Sequence, residues 1–428
     1  MGNAFANIFR ALQHKNYRLF FAGQSISLIG TWIQTVALSW LVYQLTNSAF
    51  LLGFVAFVGQ LPALLFMSIA GVFVDRWDKR RLLVATQTLA MLQAFTIAFL
   101  LFFNLLDVWH ILLLSMFLGF INSFDMPARQ SFVVEIVEKE HLSNAIALNS
   151  TMVNGARLIG PAVAGILIAA VGEGMCFLLN AISYLAVIFS LLAMERIKKE
   201  RSKKAASVFI ELKEGFSYVY RFTPIRDILL VLSLVSIVAM PYMVLMPIFA
   251  RDILHGNSQT MGFLMAASGF GALTAGLLLA ARGSVLGLGR IMAGGAFLFG
   301  AALTLFAFSR VFWLAMLLIY VAGFGMLTQI ASSNTLVQTL VEDDKRGRVM
   351  SFYSLAFLGT IPLGSLLAGL LAARIGAPLT LFWCGSVCVA AAIIFYFHLP
   401  RLRQIVRPIY VKMGILHASE ITSPPEEI

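Results

Sequence analysis

The chain has 428 residues, 60% of them apolar and 12% charged, with a mean hydropathy of +0.89. A soluble globular domain keeps about half its residues apolar and about a quarter charged, so that class is excluded. The net charge of +11 would suit nucleic acid, but the basic residues lie in short connections between apolar stretches, so no such partner is expected.

Stretches of about 20 apolar residues, the length a helix needs to cross the hydrocarbon core, recur throughout. Twelve spans are expected near 18–45, 50–74, 82–104, 109–128, 142–171, 174–194, 226–250, 259–281, 290–308, 311–333, 348–373 and 377–398. Of 31 Lys and Arg, 27 fall in the two termini and the even-numbered connections, which the positive-inside rule assigns to the cytoplasm. Both termini are therefore expected in the cytoplasm and the chain in the inner, or plasma, membrane. The first apolar run is full-length and follows Lys15 and Arg18, so it is expected to stay as a span.

Before span one, Phe5, Ile8, Phe9 and Leu12 recur at helical spacing and predict a short interfacial helix. Span one sets Gln24, Thr31 and Thr35 on one face, and Ser27 with Gln34 on another. So polar a helix should line a cavity, or else hydrogen-bond its neighbours. Spans two and three are joined by GVFVDRWDKRR, in which Gly71 would allow close packing and Asp75 sits among Arg76, Lys79, Arg80 and Arg81.

Span four holds Asn122, Asp125, Pro127 and Arg129 and is expected to stop near its proline. Gln130 to His141 then reads as an amphipathic loop with Glu135 and Glu138 solvated. In span five, Asn154 and Arg157 precede Gly160 and Pro161. Arg157 falls about 20 Å along that helix, near mid-bilayer, where a guanidinium must be paired or face water. Asp125 or a substrate anion is one candidate partner; backbone carbonyls or Asn154 are the other. Gly160 and Gly165 allow close packing, and the missing N–H of Pro161 allows a bend.

The central connection opens with the basic run ERIKKERSKK and continues with Phe209, Leu212, Phe216, Val219 and Tyr220 at helical spacing, predicting a second interfacial helix. Span seven should bend at Pro241 and Pro247, among Met240, Met243 and Met246. Span ten ends in Thr328, Gln329, Ser332 and Ser333, and Tyr353 opens the cavity side of span eleven. The tail after Pro400 reads as disordered in its final SPPEEI. Cys176, Cys384 and Cys388 have no metal-ligand spacing and read as buried apolar residues; no metal site is expected. There is no phosphate-binding glycine loop, so neither ATP nor any cofactor is expected.

The sequence repeats at an offset of 204 residues: Gly160, Gly165 and Gly172 recur as Gly364, Gly369 and Gly376, Gly119-Phe120 as Gly323-Phe324, and Val137-Glu138 as Val341-Glu342. Two homologous halves follow, 1–194 and 226–398, with a linker at 195–225 and a tail at 399–428.

In a duplicated twelve-span chain, Gly71, Asp75, Arg76, Lys79 and Arg80 resemble the signature loop of the major facilitator superfamily. Gly160, Pro161 and Gly165 resemble the antiporter motif of that superfamily's exporters, and the whole pattern is similar to the branch with macrolide and enterobactin exporters. The resemblance implies an all-α membrane protein whose two pseudo-symmetric six-helix halves give a midplane cavity and alternating access. It implies a latch of Asp75 on the start of span eleven near Arg346 and Arg348, and it implies a transporter rather than an enzyme. The expected activity is export of an amphipathic drug or siderophore, working as a monomer in contact with membrane lipids, in exchange for protons. Importer, lysophospholipid flippase, membrane enzyme and sensor are the alternatives. Asp125 is the acidic residue nominated to carry the proton, with termination of span four as its other reading.

Overall fold

The computed structural model describes residues 10–195, 217–282, 284–342 and 345–414, apart from the side chains of Met67, Ser68, Ile69, Val72, Asp75, Lys139 and Lys412. The chain is an all-α membrane protein, and its described residues include twelve helices long and apolar enough to cross a bilayer. They are α1 Lys15–Thr46, α2 Ala49–Arg76, α3 Lys79–Phe102, α4 Val108–Ile136, α5 Leu142–Val171, α6 Glu173–Ala193, α7 Thr223–Ile253, α8 Ser258–Ala280, α9 Leu288–Phe306, α10 Phe312–Leu340, α11 Arg346–Ile375 and α12 Ala377–Lys412. A 3₁₀ turn, Arg10–Gln13, precedes α1. The interfacial helices expected around residues 5–12 and 209–220 lie largely outside the described residues.

The 204-residue repeat is visible in the helix bounds. Helices α4 and α10 begin and end at equivalent positions, as do α5 and α11, and α6 and α12 start in the same register. Their buried faces match too: Ile111, Ser115 and Phe132 correspond to Ala315, Ile319 and Leu336.

Helix bounds differ from the sequence reading in three places. Helix α4 runs through Pro127 to Ile136, because Phe132, Val133 and Ile136 bury against Tyr17, Phe20, Leu83 and Leu148. One missing N–H costs less than exposing that face. Helix α12 likewise passes Pro400 and Pro408, since Leu399, Leu402 and Tyr410 pack with Ile225, Leu288 and Val349. Helix α11 breaks at Leu358–Thr360, just ahead of Pro362, although no break is expected there. In α7 the expected bend is an interruption between Val238 and Tyr242, followed by a π turn at Phe249–Ile253.

By packing, the described chain divides into two compact units. One comprises described residues within 1–203 together with Val244–Gly269; the other comprises those within 204–243 and 270–428. Large apolar side chains such as Phe103, Trp313 and Phe397 are mostly exposed, as helices surrounded by lipid require.

Candidate functional site

The first unit holds a charge inside its helices. Asp125 of α4 is 2% exposed. Its Oδ1 accepts from Thr86 Oγ1 and Gln87 Nε2 of α3, both at 2.8 Å, and its Oδ2 accepts from Arg129 Nη2 at 2.8 Å. Adjacent residues Thr86 and Gln87 face one acceptor because α3 packs along α4, while Arg129 sits one turn on in α4 itself. A carboxylate taken out of water is tolerable only with both oxygens satisfied and its charge balanced, and this arrangement does both. The Arg129 side chain keeps a quarter of its surface exposed, so one member of the pair reaches solvent.

This geometry corrects two expectations. Asp125 does not terminate α4, and its partner is Arg129 rather than Arg157. Arg157 is half-buried, with its guanidinium carbon 5.8 Å from the centre of the Trp32 ring, within cation–π range. Asn154 donates within its own helix, to Ser150 O at 2.9 Å.

The polar residues of α1 behave differently from one another. Gln34 is buried, donates to Gln93 of α3 at 3.2 Å and accepts from Asn180 of α6 at 2.6 Å. Gln93 in turn donates to Leu114 O of α4 at 3.2 Å. Gln34 therefore joins helices rather than lining a cavity. Gln24 is also buried, and Thr31 and Thr35 donate to carbonyls of their own helix, Ser27 O and Thr31 O.

In the α2–α3 loop, Asp78 caps α3 by accepting from Arg81 N at 2.9 Å. A cap followed by Lys79, Arg80 and Arg81 is legible in the sequence but was missed; the carboxylate offsets three cations at a helix end that disfavours them. Lys79 is ion-paired with Glu135 of α4, expected to be solvated, and Arg80 Nη2 donates to Leu192 O of α6 at 2.8 Å. Arg76 is exposed. A Cβ at Gly71 would meet no atom of the described residues within 4 Å. The side chain of Asp75 lies outside the described residues. In the second unit, Arg348 lines a cavity of about 540 Å³ with Tyr218, Arg221 and Lys345, and Arg346 begins α11.

Glycines do set the packing of α5. A Cβ on Gly165 would lie 2.7 Å from Ser258 O and 3.0 Å from the Cα of Gly262 in α8, and Ser258 Oγ donates to Gly165 O at 3.2 Å. Farther along, Gly269 lies against Arg157 O and Leu158. Pro161 stays inside α5, its carbonyl against Gly262. Gly160 faces Ile29 and Trp32 of α1, and Gly364 faces Ile237 and Pro241 of α7. Gly369 is buried in the same face of α11.

One cluster escaped the sequence reading. Tyr43 donates to Asp252, Arg251 donates to Asn47 Oδ1 at 2.8 Å, and the Arg251 guanidinium lies 5.7 Å from the Tyr43 ring centre. Asn47 ends α1 in the left-handed conformation, φ 48°, the one local signal that a sequence offers for it. At the opposite end of α1, Lys15 hydrogen-bonds Glu195 at 2.8 Å and draws that carboxyl below its ordinary range.

Comparison with known proteins places this architecture. The family described as "Transmembrane secretion effector" matches residues 6–408. Similar proteins include a staphyloferrin A transporter of Staphylococcus aureus, 28% identical across 89% of this chain and 95% of its own length. A macrolide efflux protein A of Streptococcus pyogenes is 25% identical, with coverages of 89% and 96%. The multidrug efflux pump Tap of Mycolicibacterium fortuitum is 27% identical, with coverages of 88% and 93%. Among solved structures, an inward-facing bacterial homologue of the lysosomal transporter Spinster has a TM-score of 0.70 at 13% identity, covering 90% of this chain and 96% of that one. The nucleoside transporter NupG has a TM-score of 0.67 at 16% identity, covering 91% and 99%. At such identities the structures share the fold alone.

Proposed function

Because the chain belongs to the transmembrane secretion effector family, and so is a transporter of the major facilitator type rather than an enzyme, we propose that it exports an amphipathic small molecule of the drug or siderophore class in exchange for protons. The names of its relatives support the cargo class and the outward direction. The distribution of basic residues supports cytoplasmic termini.

Asp125 is the observation that carries the proton step. A proton carrier must be shielded from bulk water and must hold satisfactory hydrogen bonds in both of its states. Ionised, Asp125 accepts from Thr86, Gln87 and Arg129. Protonated, it becomes a donor, and the Gln87 amide, whose buried Oε1 has no hydrogen-bond partner among the described residues, turns to accept from it. Arg129, already part-exposed, swings toward water as its counter-charge disappears. Proton uptake thus exchanges an ion pair for a neutral pair inside one helical bundle, a local change large enough to bias a transport cycle.

The medium of a deletion strain, profiled for missing metabolites, identifies the cargo. Everted vesicles loaded with the chain and given an inwardly acidic gradient should then accumulate it and dissipate the gradient as they do. Asp125→Asn should bind cargo yet neither concentrate it nor discharge the gradient. Concentration by right-side-out vesicles instead, or redistribution of lysophospholipid between leaflets, would replace the exporter reading with an importer or a flippase. Gradient-driven accumulation by Asp125→Asn would move the coupling to another group.

A further inference from the structure

We infer that His14, Glu138 and His141 form a binding site for a borderline divalent transition ion, of which Zn²⁺ is the best fit. Nothing in transport chemistry calls on these residues. His14 and His141 are the N-cap residues of α1 and α5, and neither imidazole hydrogen-bonds the helix it precedes. Instead the rings face each other, with His14 Nε2 and His141 Nδ1 2.8 Å apart. Glu138 completes the group: one ligand atom from each of the three residues lies within 4.8 Å of the others. The 3₁₀ turn Lys139–His141, closed by His141 N donating to Glu138 O at 2.9 Å, brings the carboxylate round beside its own histidine.

Two imidazole nitrogens and a carboxylate oxygen are the donor set of a three-ligand zinc site with one position open to water. Zn–N bonds of about 2.05 Å at a tetrahedral angle put the two nitrogens about 3.3 Å apart, so the rings need to part by only about half an ångström. In the neutral pair a single ring hydrogen lies between the two nitrogens. Both ligate once that hydrogen moves to the other nitrogen of whichever ring carries it, with no net loss of a proton.

The frame around the site holds it in place. Ala11 N donates to Asn144 Oδ1 at 2.9 Å, and Tyr17 Oη donates to Ala145 O at 2.8 Å, so the starts of α1 and α5 are joined on both sides of the histidines. Helix N-termini disfavour a cation, but at a partly exposed surface that effect is about 1 kcal/mol or less, and Glu138 supplies the opposing charge. An ion here would staple two helices of the first unit across a separation of 127 residues between His14 and His141, which is why the sequence gives no spacing that joins His14 to the other two.

The test uses the full chain purified without a polyhistidine tag and titrated with Zn²⁺ alone by calorimetry, and with Co²⁺ alone by absorption spectroscopy. One saturable site is expected, with a four-coordinate cobalt spectrum that lacks thiolate bands, since the three cysteines are buried elsewhere. The double substitution His14→Gln with His141→Gln should abolish it, and Glu138→Gln should weaken it by about tenfold or more. His255→Gln, at an exposed position on the α7–α8 connection, should leave it intact. Should the double variant misfold, the exposed Glu138→Gln substitution and the wild-type cobalt spectrum decide the matter. A wild-type chain that leaves cobalt in its six-coordinate aqueous form, or binding that survives the double substitution in a folded chain, overturns the site.

Discussion

Asp125 and Gln329 occupy the same position in the two repeats, 204 residues apart, and so do Arg129 and Ser333. In α4 this position is a buried carboxylate with three donors around it; in α10 it is a buried amide whose nitrogen and oxygen have no hydrogen-bond partner among the described residues. Ser333, where α4 has its arginine, shares a hydrogen bond with Tyr353 at 3.1 Å. The helices match end to end, so the fold tolerates either chemistry at this place. The fold does not require an ion pair at this place and burying one is costly, and that contrast is what the proposed proton step draws on.

The most damaging test converts the first repeat into the second. Asp125→Gln alone leaves Arg129 without its carboxylate and should destabilise the chain by about 1–3 kcal/mol, less than for a fully buried pair because the part-exposed guanidinium can turn toward water, read as a lower thermal midpoint. Adding Arg129→Ser should recover most of that loss, because no charge then remains to be balanced. Transport should stay down by about 100-fold in both, the scale set by loss of a positioned acid–base group. A double variant that transports like the wild type would make the pair architectural.

Glycine provides the next contrast. Gly165 lies against the backbone of α8, so Gly165→Val must push two helices apart and should cost about 1–3 kcal/mol. Gly71→Ala, with no described atom within 4 Å, should stay within about 0.5 kcal/mol of wild type although both glycines lie in stretches that resemble family motifs. Equal thermal shifts for the two would mean that motif glycines answer to something other than contact distance.

Arg251→Gln removes a hydrogen bond to Asn47 and the stacking on Tyr43, in a cluster open to solvent. Its effect on the thermal midpoint should correspond to about 1 kcal/mol or less. A larger loss would indicate that the Tyr43–Asp252 contact depends on the arginine.

What could be read in advance divides along physical lines. Helix number and repeat were legible, because a bilayer demands runs of fixed length and a duplication leaves its glycines in register. The continuation of α4 past Pro127 and of α12 past residue 398 was not, because the buried faces that carry both helices onward are tertiary. Asp125 and Arg157 stood out as charges in apolar runs, yet the choice of partner belonged to Arg129, only one turn away. The i, i+4 spacing was available and was outweighed by the expectation that proline ends the helix. Gln34 with Asn180, Tyr43 with Asp252, and His14 with His141 had no signal at all, since each pair is joined only when distant helices meet.

The last contrast concerns neutral polar groups. Asn180 of α6 donates to Gln34 at 2.6 Å, and the equivalent position in α12 is Cys384, buried with no such duty. Asn180→Cys therefore installs a residue that the other repeat already accommodates. Hydrogen bonds between membrane helices average about 0.6 kcal/mol in double-mutant cycles, because alternative partners remain available, so a shift of that size is expected in the thermal midpoint. Gln34→Leu with Asn180→Cys should lose less than the sum of the single changes, since the two groups serve each other. Transport should be near wild type in all three. If instead it collapsed while the midpoint held, the Gln34 network would share the role assigned to Asp125, and polarity as such, rather than charge, would distinguish the first repeat from the second.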